Sequence, residues 1–439
     1  MQRILPVICC VVLTAASSGR ATHQGGPAAV PTMNTIAESY VKLVLALGQH
    51  DADYVDAYYG PPAWKAEAEA ARMPLDAIGG RAESLVRDLA RVSPGAGELE
   101  RLRHQYLDRQ LSALRARVRM LQGERLSFDE ESRALYDAVA PTHSESHFKA
   151  ILDKLEARFP GSGPLVARYD AYRRRFVIPR DKLDGVFRTA IQACRERTAR
   201  HIELPESESF TVEYVTNKSW SGYNWYQGNF RSLIQVNTDL PIYIDRALDL
   251  ACHEGYPGHH VYNALLEKHL VRGRGWQEFS VYALFSPQSL IAEGTADYGI
   301  EVAFPDSERV RFESAVLFPA AGLDPGKAGE FYEVQELVDD LAYAGNEAAR
   351  RYLNGEIDRA AAEAWLERYA LMPRERAAQR VRFIDQYRSY VINYNLGTDL
   401  VRRYIESRVK QAASGARTAV RWKEFERLLS SPRLPSSLR

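Results

Sequence analysis

Apolar residues recur at helical spacing through the first half of the chain. Over residues 34–48, Ile36, Tyr40, Leu43, Leu45 and Leu47 mark the buried stripe of a helix. Pro61 and Pro62 interrupt the pattern, and Ala63–Arg72 resumes it. Leu102, Tyr106, Leu111, Leu114 and Val118 stand mostly three to five residues apart within Glu98–Leu121. This spacing predicts a long amphipathic helix whose arginines form a solvated face. Pro141, the turn at 159–164 and Pro179 punctuate further helices, and a helix follows Asp181 to about His201.

The period changes near Pro205. Residues 210–215 are aromatic and β-branched, which predicts a strand. A glycine- and aromatic-rich passage follows from Trp220 to Phe230, and residues 232–237 predict a second short strand. Thr238 or Asp239, with Pro241 in the first turn, then starts a helix that runs into His253. The pattern as a whole predicts a mainly α protein, with helices walling a large cleft and a small β element just before a histidine-bearing helix. An exposed strand in that position could hold an extended peptide by main-chain hydrogen bonds. The chain divides into a helical region at 34–204 and a second region at 205–439.

The extreme N-terminus adds an address. Arg3 precedes an apolar run from Ile4 to about Ala16, and small residues follow. That is the pattern of a secretory signal peptide over residues 1–22, with a flexible leader at 23–33, and its alternative is an anchor kept after export. The apolar run is too short for an ordinary membrane span, and no other segment is long and apolar enough. The expected location is therefore exported, periplasmic or secreted. Cys9 and Cys10 fall inside the signal, leaving Cys194 and Cys252. An exported protein can pair them, but two cysteines make no disulfide framework, and Cys252 is expected to be a small buried packing residue.

Composition narrows the field further. Of 439 residues, Lys plus Arg and Asp plus Glu number 57 each, so the formal net charge is zero. This balance argues against a general nucleic-acid binder.

The chemistry concentrates in H-E-G-Y-P-G-H-H, His253 to His260, and in A-E-G-T-A-D-Y-G around Glu293. Catalytic zinc takes three protein ligands and leaves one position for water. His253 supplies one ligand, and Glu254 beside it suits a general base. The common form, H-E-x-x-H, places its ligands at i and i+4. Here the i+4 position is Pro257, and the next histidines are His259 and His260. On an unbroken helix, His260 returns to the face of His253 about 10.5 Å along the axis. Pro257 with Gly258 instead predicts a kink or bulge, which brings His259 to the i+4 place. Both histidines remain candidates. Glu293 on an antiparallel helix lies level with them as third ligand. Asp297, one turn further, is placed to accept a proton from a ligand histidine.

These motifs resemble a bacterial family of domains of unknown function marked by H-E-x-x-P-G-H-H, which is grouped with the gluzincin metallopeptidases. The resemblance spans about Arg231 to Glu406. It rests on V-N-T-D-L-P at 236–241, the histidine motif, E-G-T-A-D-Y at 293–298 and Y-N-L-G at 394–397. It implies a gluzincin-like fold with Zn2+ held by His253, a second histidine and Glu293. It further implies Glu254 as base and Asp297 behind a ligand. The chain departs in being shorter than many relatives and in carrying Thr295 where an aromatic residue is common.

The expected activity is zinc-dependent hydrolysis of short peptides, with Tyr394 donating to the oxyanion. Tyr223, Trp225 and Tyr226 are candidates to line the cleft, and Arg382, Arg388 and Arg402 to meet a substrate carboxylate. Two rival readings are a zinc amidase or esterase acting on a small non-peptide molecule, and a non-catalytic helical periplasmic binding protein.

Overall fold

The computed structural model describes residues 31–305 and 307–438; the expected signal peptide and the leader as far as residue 30 lie outside them. Among the described residues helix accounts for 67% and strand for 7%, which makes the fold mainly α. Helix α1 (Met33–Leu47) begins where the Thr32 side chain accepts from the Thr35 N–H, and it buries Ile36, Tyr40, Val44 and Leu47. It packs with α2 (Leu75–Leu89) and α3 (Glu98–Leu121). The spacing predicts α3 to the residue.

Two of its arginines are not on a solvated face, however. Arg103 is buried, with Nη2 3.0 Å from Oε2 of the fully buried Glu278, and Arg117 pairs with Asp51 at 2.7 Å. A long side chain on a mainly polar helix can reach inward when a carboxylate waits there. Helix α4 (Leu183–Ala199) closes the first half.

Two small sheets sit among the helices. Strand β1 (Val55–Tyr58) pairs antiparallel with β5 (Val281–Ala283). The larger sheet holds β2 (Ser209–Val215), β3 (Gly222–Gly228) and β4 (Arg231–Asn237) in the order β2-β4-β3, with β4 parallel to β2 and antiparallel to β3. The Trp220–Phe230 passage is thus a strand and a tight turn, with Asn229 and Phe230 both at positive φ. Its alternation is hard to read because the inward positions are Asn224, Tyr226 and Gly228, while Trp225 points out.

The next helix, α5, spans Ile244–Leu250 and starts later than its sequence suggests. The intervening residues are engaged elsewhere. Asn237 donates to the carbonyls of Lys218 and Trp220, Asp239 accepts from Asn217 N–H, and Ile242 O accepts from Ile178 N–H.

Helix α6 (His259–Leu266), α7 (Pro287–Ala303), α8 (Arg374–Tyr387) and α9 (Ile392–Val409) complete the cleft. α7 and α9 cross at two glycines. A Cβ on Gly294 would lie 2.4 Å from the Gly397 carbonyl carbon, so only glycine lets the backbones meet. Thr295 is fully buried there, its hydroxyl donating to Ile291 O at 2.8 Å, which leaves no room for an aromatic ring. Buried apolar residues of both halves form one continuous cluster.

Cys252 is more than a packing residue. It forms a disulfide with Cys194 of α4, their Cα atoms 5.7 Å apart, and so ties the residue before His253 to the first half of the chain. The bridge closes a 58-residue separation, worth about 4 kcal/mol in a chain-entropy treatment. Cys194→Ser with Cys252→Ser is expected to lower unfolding free energy by about 2–4 kcal/mol in urea titration. An unchanged urea midpoint would show that the bridge contributes nothing.

Candidate functional site

The chain stays helical from Ile244 through Gly255, its last five residues, Ala251–Gly255, in wider π turns. It then leaves the helix: Tyr256 is extended, at φ −120° and ψ 116°, and Gly258 sits at ψ −134° before α6 restarts at His259. Pro257 offers no N–H to continue the ladder. At Gly258 a Cβ would fall 1.8 Å from the His253 carbonyl oxygen, so glycine alone allows the chain to fold back this closely. Sequence reasoning anticipates a break here; its form is π turns followed by three non-helical residues.

The break turns His259 back toward His253. Their Nε2 atoms are 3.1 Å apart, and Glu293 Oε2 from α7 lies 3.2 Å from the first and 3.5 Å from the second. Three ligands on one tetrahedral zinc, with bonds of about 2.0–2.1 Å, stand about 3.3 Å from one another. The three atoms match that spacing. Glu293 Oε2 is buried and receives no well-formed hydrogen bond, as expected of an anionic oxygen facing a cation. The donor set therefore fits a divalent ion of the zinc type.

His260, the other histidine candidate, stands apart from this cluster. One residue further round α6 it points about 100° away from His259. It is fully buried, with Nδ1 2.9 Å from Ser232 Oγ and Nε2 3.0 Å from Glu208 Oε2. Burial pushes the Glu208 carboxyl up, but hydrogen bonds from His260, Tyr256 and Arg195 outweigh it and bring the pKa down to about 2. His260 thus anchors α6 to the sheet and to the segment before β2.

Around the three-atom cluster the charges are mutually adjusted. Asp297 Oδ1 lies 2.7 Å from His253 Nδ1, which leaves Nε2 facing the cluster. Burial disfavours the His253 imidazolium, yet Asp297, Glu293 and Glu254 together raise its pKa well above the usual value. Burial also pushes Glu293 up, and the two imidazoles overcome this and hold it ionised. Burial raises Glu254, opposed by His253 and His259. Gly222 makes room for this side chain, since a Cβ there would lie 2.7 Å from Glu254 Oε1.

These groups line a cavity of about 360 Å³. Tyr394 also lines it, with a strongly raised pKa caused by burial and by Glu293, so its phenol stays a donor. Tyr390, one turn earlier in chain order, donates to Glu293 Oε1 at 2.6 Å. Nothing in its local sequence separates it from the other tyrosines. Asp56 of β1 is a second unanticipated member. Burial lifts its pKa to about 6 against a hydrogen bond from Tyr223.

The other sequence candidates divide. Tyr223 lines the cavity, whereas Trp225, 39% exposed, lines an adjoining outer groove, and Tyr226 is buried and donates to Glu267. Arg388 pairs with Glu131 and Arg402 with Glu301 and Asp399, away from the cavity, while Arg382 faces the outer groove. The arginines lining the cavity are Arg246, Arg376 and Arg380.

Fold and cluster together define a mainly helical protein with a His-His-Glu constellation at the base of a cleft. No family model and no curated protein matches the chain. Two solved structures share parts of the architecture. One, from Colwellia psychrerythraea, is provisionally described as a lipoprotein; it is 15% identical, with 85% of this chain and 70% of that one covered at a TM-score of 0.49. The other, from Shewanella oneidensis, is provisionally described as a lipoprotein of unknown function; it is 14% identical, with 92% and 89% covered at a TM-score of 0.44. Likeness at this level carries no functional weight.

If the three atoms hold an ion, Gly258→Ala is expected to separate the two imidazoles and weaken the binding of added Zn2+ at least about 10-fold, read by competition with a chelating dye, with helical content by circular dichroism retained. Unchanged affinity would show that the fold-back does not depend on glycine.

Glu208 is ordinarily at 4.5 and is held at about 2 in the fold, so its contribution is present above pH 4.5 and lost as pH falls toward 2. Glu208→Gln should lower the melting temperature at pH 7 and flatten its fall below pH 4.5.

Proposed function

We propose that the protein is an exported zinc-dependent hydrolase that cleaves peptide bonds in short peptides. The observation that carries this reading is the convergence of His253 Nε2, His259 Nε2 and Glu293 Oε2 within 3.1–3.5 Å, beside a buried carboxylate in the same cavity. His253, His259 and Glu293 would hold the ion, and Asp297 orients the first of them. A zinc ion there supplies Lewis acidity and a lowered pKa for water.

The chain's own groups do the rest. Glu254 takes a proton at its carboxylate as the water oxygen bonds to the scissile carbonyl carbon. The same carboxyl returns the proton to the leaving nitrogen as the carbon–nitrogen bond breaks, leaving one acid and one amine. The Tyr394 hydroxyl donates to the carbonyl oxygen as that atom gains negative charge. Tyr390 holds Glu293 by its other oxygen, which keeps Oε2 directed at the cluster. The raised Glu254 pKa supports its role, since a carboxylate in a dry site is a stronger base than one in water. A paired Cys194 and Cys252 suits an oxidising compartment, in keeping with the N-terminal export pattern.

A second reading retains the cleft as the ligand site of a non-catalytic binding protein. It is favoured by two cavity arginines, Arg376 and Arg380, that have no ionic partner among the described residues, because unpaired cations serve retention of an anion as well as cleavage. One experiment separates the readings. Metal content of the purified protein is measured, and wild type and Glu254→Gln are assayed against a mixed peptide library. The hydrolase reading expects about one zinc per chain and a loss of about 10²–10⁴-fold in kcat for the variant. Zinc without peptide turnover points to a non-peptide substrate or to the binding protein, and absence of metal removes the hydrolase.

A further inference from the structure

Helix α8 turns one face to the cavity, formed by Arg376, Gln379, Arg380, Phe383 and Tyr387 at three- to four-residue spacing. The two arginines stand one turn apart. Neither has an ion pair or a side-chain hydrogen bond among the described residues, and Arg380 Nε is fully buried with no partner. The Arg380 guanidinium lies over the rings of Phe383 and Tyr394, at 5.0 and 5.8 Å from their centroids. This contrasts with Arg246, the third arginine of the cavity, which is 3.2 Å from Asp249.

Among the described residues, none of the cavity's acids pairs with either arginine: Asp249 is taken by Arg246 and Arg309, and Glu254 makes no ion pair. Glu293 is shared by His253, His259 and Tyr390, Asp297 by His253, and Asp56 by Tyr223. Arg380 is half-buried, and a guanidinium nitrogen shut off from water with no acceptor is costly, a cost that an incoming anion would relieve. Two guanidiniums one helical turn apart suit a carboxylate, which accepts two parallel N–H bonds from one fork and a further N–H bond from the other. Stacking against Tyr394 sets this cationic pair beside the residue assigned to the scissile carbonyl.

We propose that Arg376 and Arg380 form a carboxylate-binding subsite, so that the molecules accepted by the cleft carry a free carboxylate close to the bond presented to Glu254. The assignment rests on the reading of this cleft as the substrate site and narrows it: peptides are held by their C-terminal end. Arg382, two residues on, lies about 200° round the helix from Arg380 and faces the outer groove, which excludes it from the subsite.

The test uses the full-length protein and one tripeptide, Ala-Phe-Ala, as its free acid and as its C-terminal carboxamide. Binding is measured by calorimetry on the Glu254→Gln background, and cleavage by mass spectrometry on wild type. The free acid should bind at least about 10-fold more tightly than the carboxamide. Arg380→Gln should erase that preference by weakening the free acid alone, and Arg376→Gln, at an equally half-buried position, should reduce it. Equal affinity for the two peptides, no binding of either at millimolar concentration, or equal weakening of both by the arginine variants overturns the subsite. Cleavage of both peptides at equal kcat/KM with equal affinity removes the subsite and leaves the hydrolase standing. A preserved preference for the free acid without cleavage of either removes the peptidase and leaves the subsite.

Discussion

The geometry of the site depends on a steric constraint at one residue. With no Cβ at position 258, the backbone can pass close to the His253 carbonyl and start a new helix after only three irregular residues. That fold-back places two imidazoles edge to face with their Nε2 atoms in contact range, and it sends the next histidine about 100° round the helix, away from the cluster. Adjacent histidines thereby acquire different work. One turns toward the cavity, and the other locks the new helix onto Glu208 and Ser232. An unbroken helix could satisfy neither set of partners.

A second constraint supplies the third member of the cluster. α7 carries Glu293 next to Gly294, and α9 carries Tyr390 just before its start and Gly397 within it. Contact between the two glycines brings the helices close enough for the tyrosine to hold the carboxylate. Electrostatics then closes the arrangement. Glu254, Glu293 and Asp297 crowd two imidazoles and draw protons onto His253. On the proposed reading a divalent ion would compete with those protons for the same lone pairs.

Helical periodicity and proline or glycine punctuation made the long elements legible, as with Glu98–Leu121, and the density of histidine and glutamate located the centre of the site. Other features were hidden for physical reasons. β1 and β5 are four and three residues long, too short for a period to show, and their pairing is non-local. β3 turns polar residues inward, which inverts the usual signal. Arg380 differs from Arg382 only in which side of one helix it occupies, and that phase is fixed by tertiary packing. The choice between His259 and His260 needed backbone geometry that a proline and a glycine announce without specifying. The pairing of Cys194 with Cys252 likewise depends on where α4 comes to lie.

Asp56 reaches the cavity on a strand whose partner, β5, lies more than two hundred positions later in the chain. The pocket accordingly takes one of its lining residues from the first part of the chain and the rest from residues 219–394. A fragment beginning near residue 205 would keep every histidine of the motif and yet lack Asp56, together with the half-cystine that tethers the histidine segment. Evolution could not pass this centre to another protein as a compact cassette, and shuffling of the halves would dismantle it.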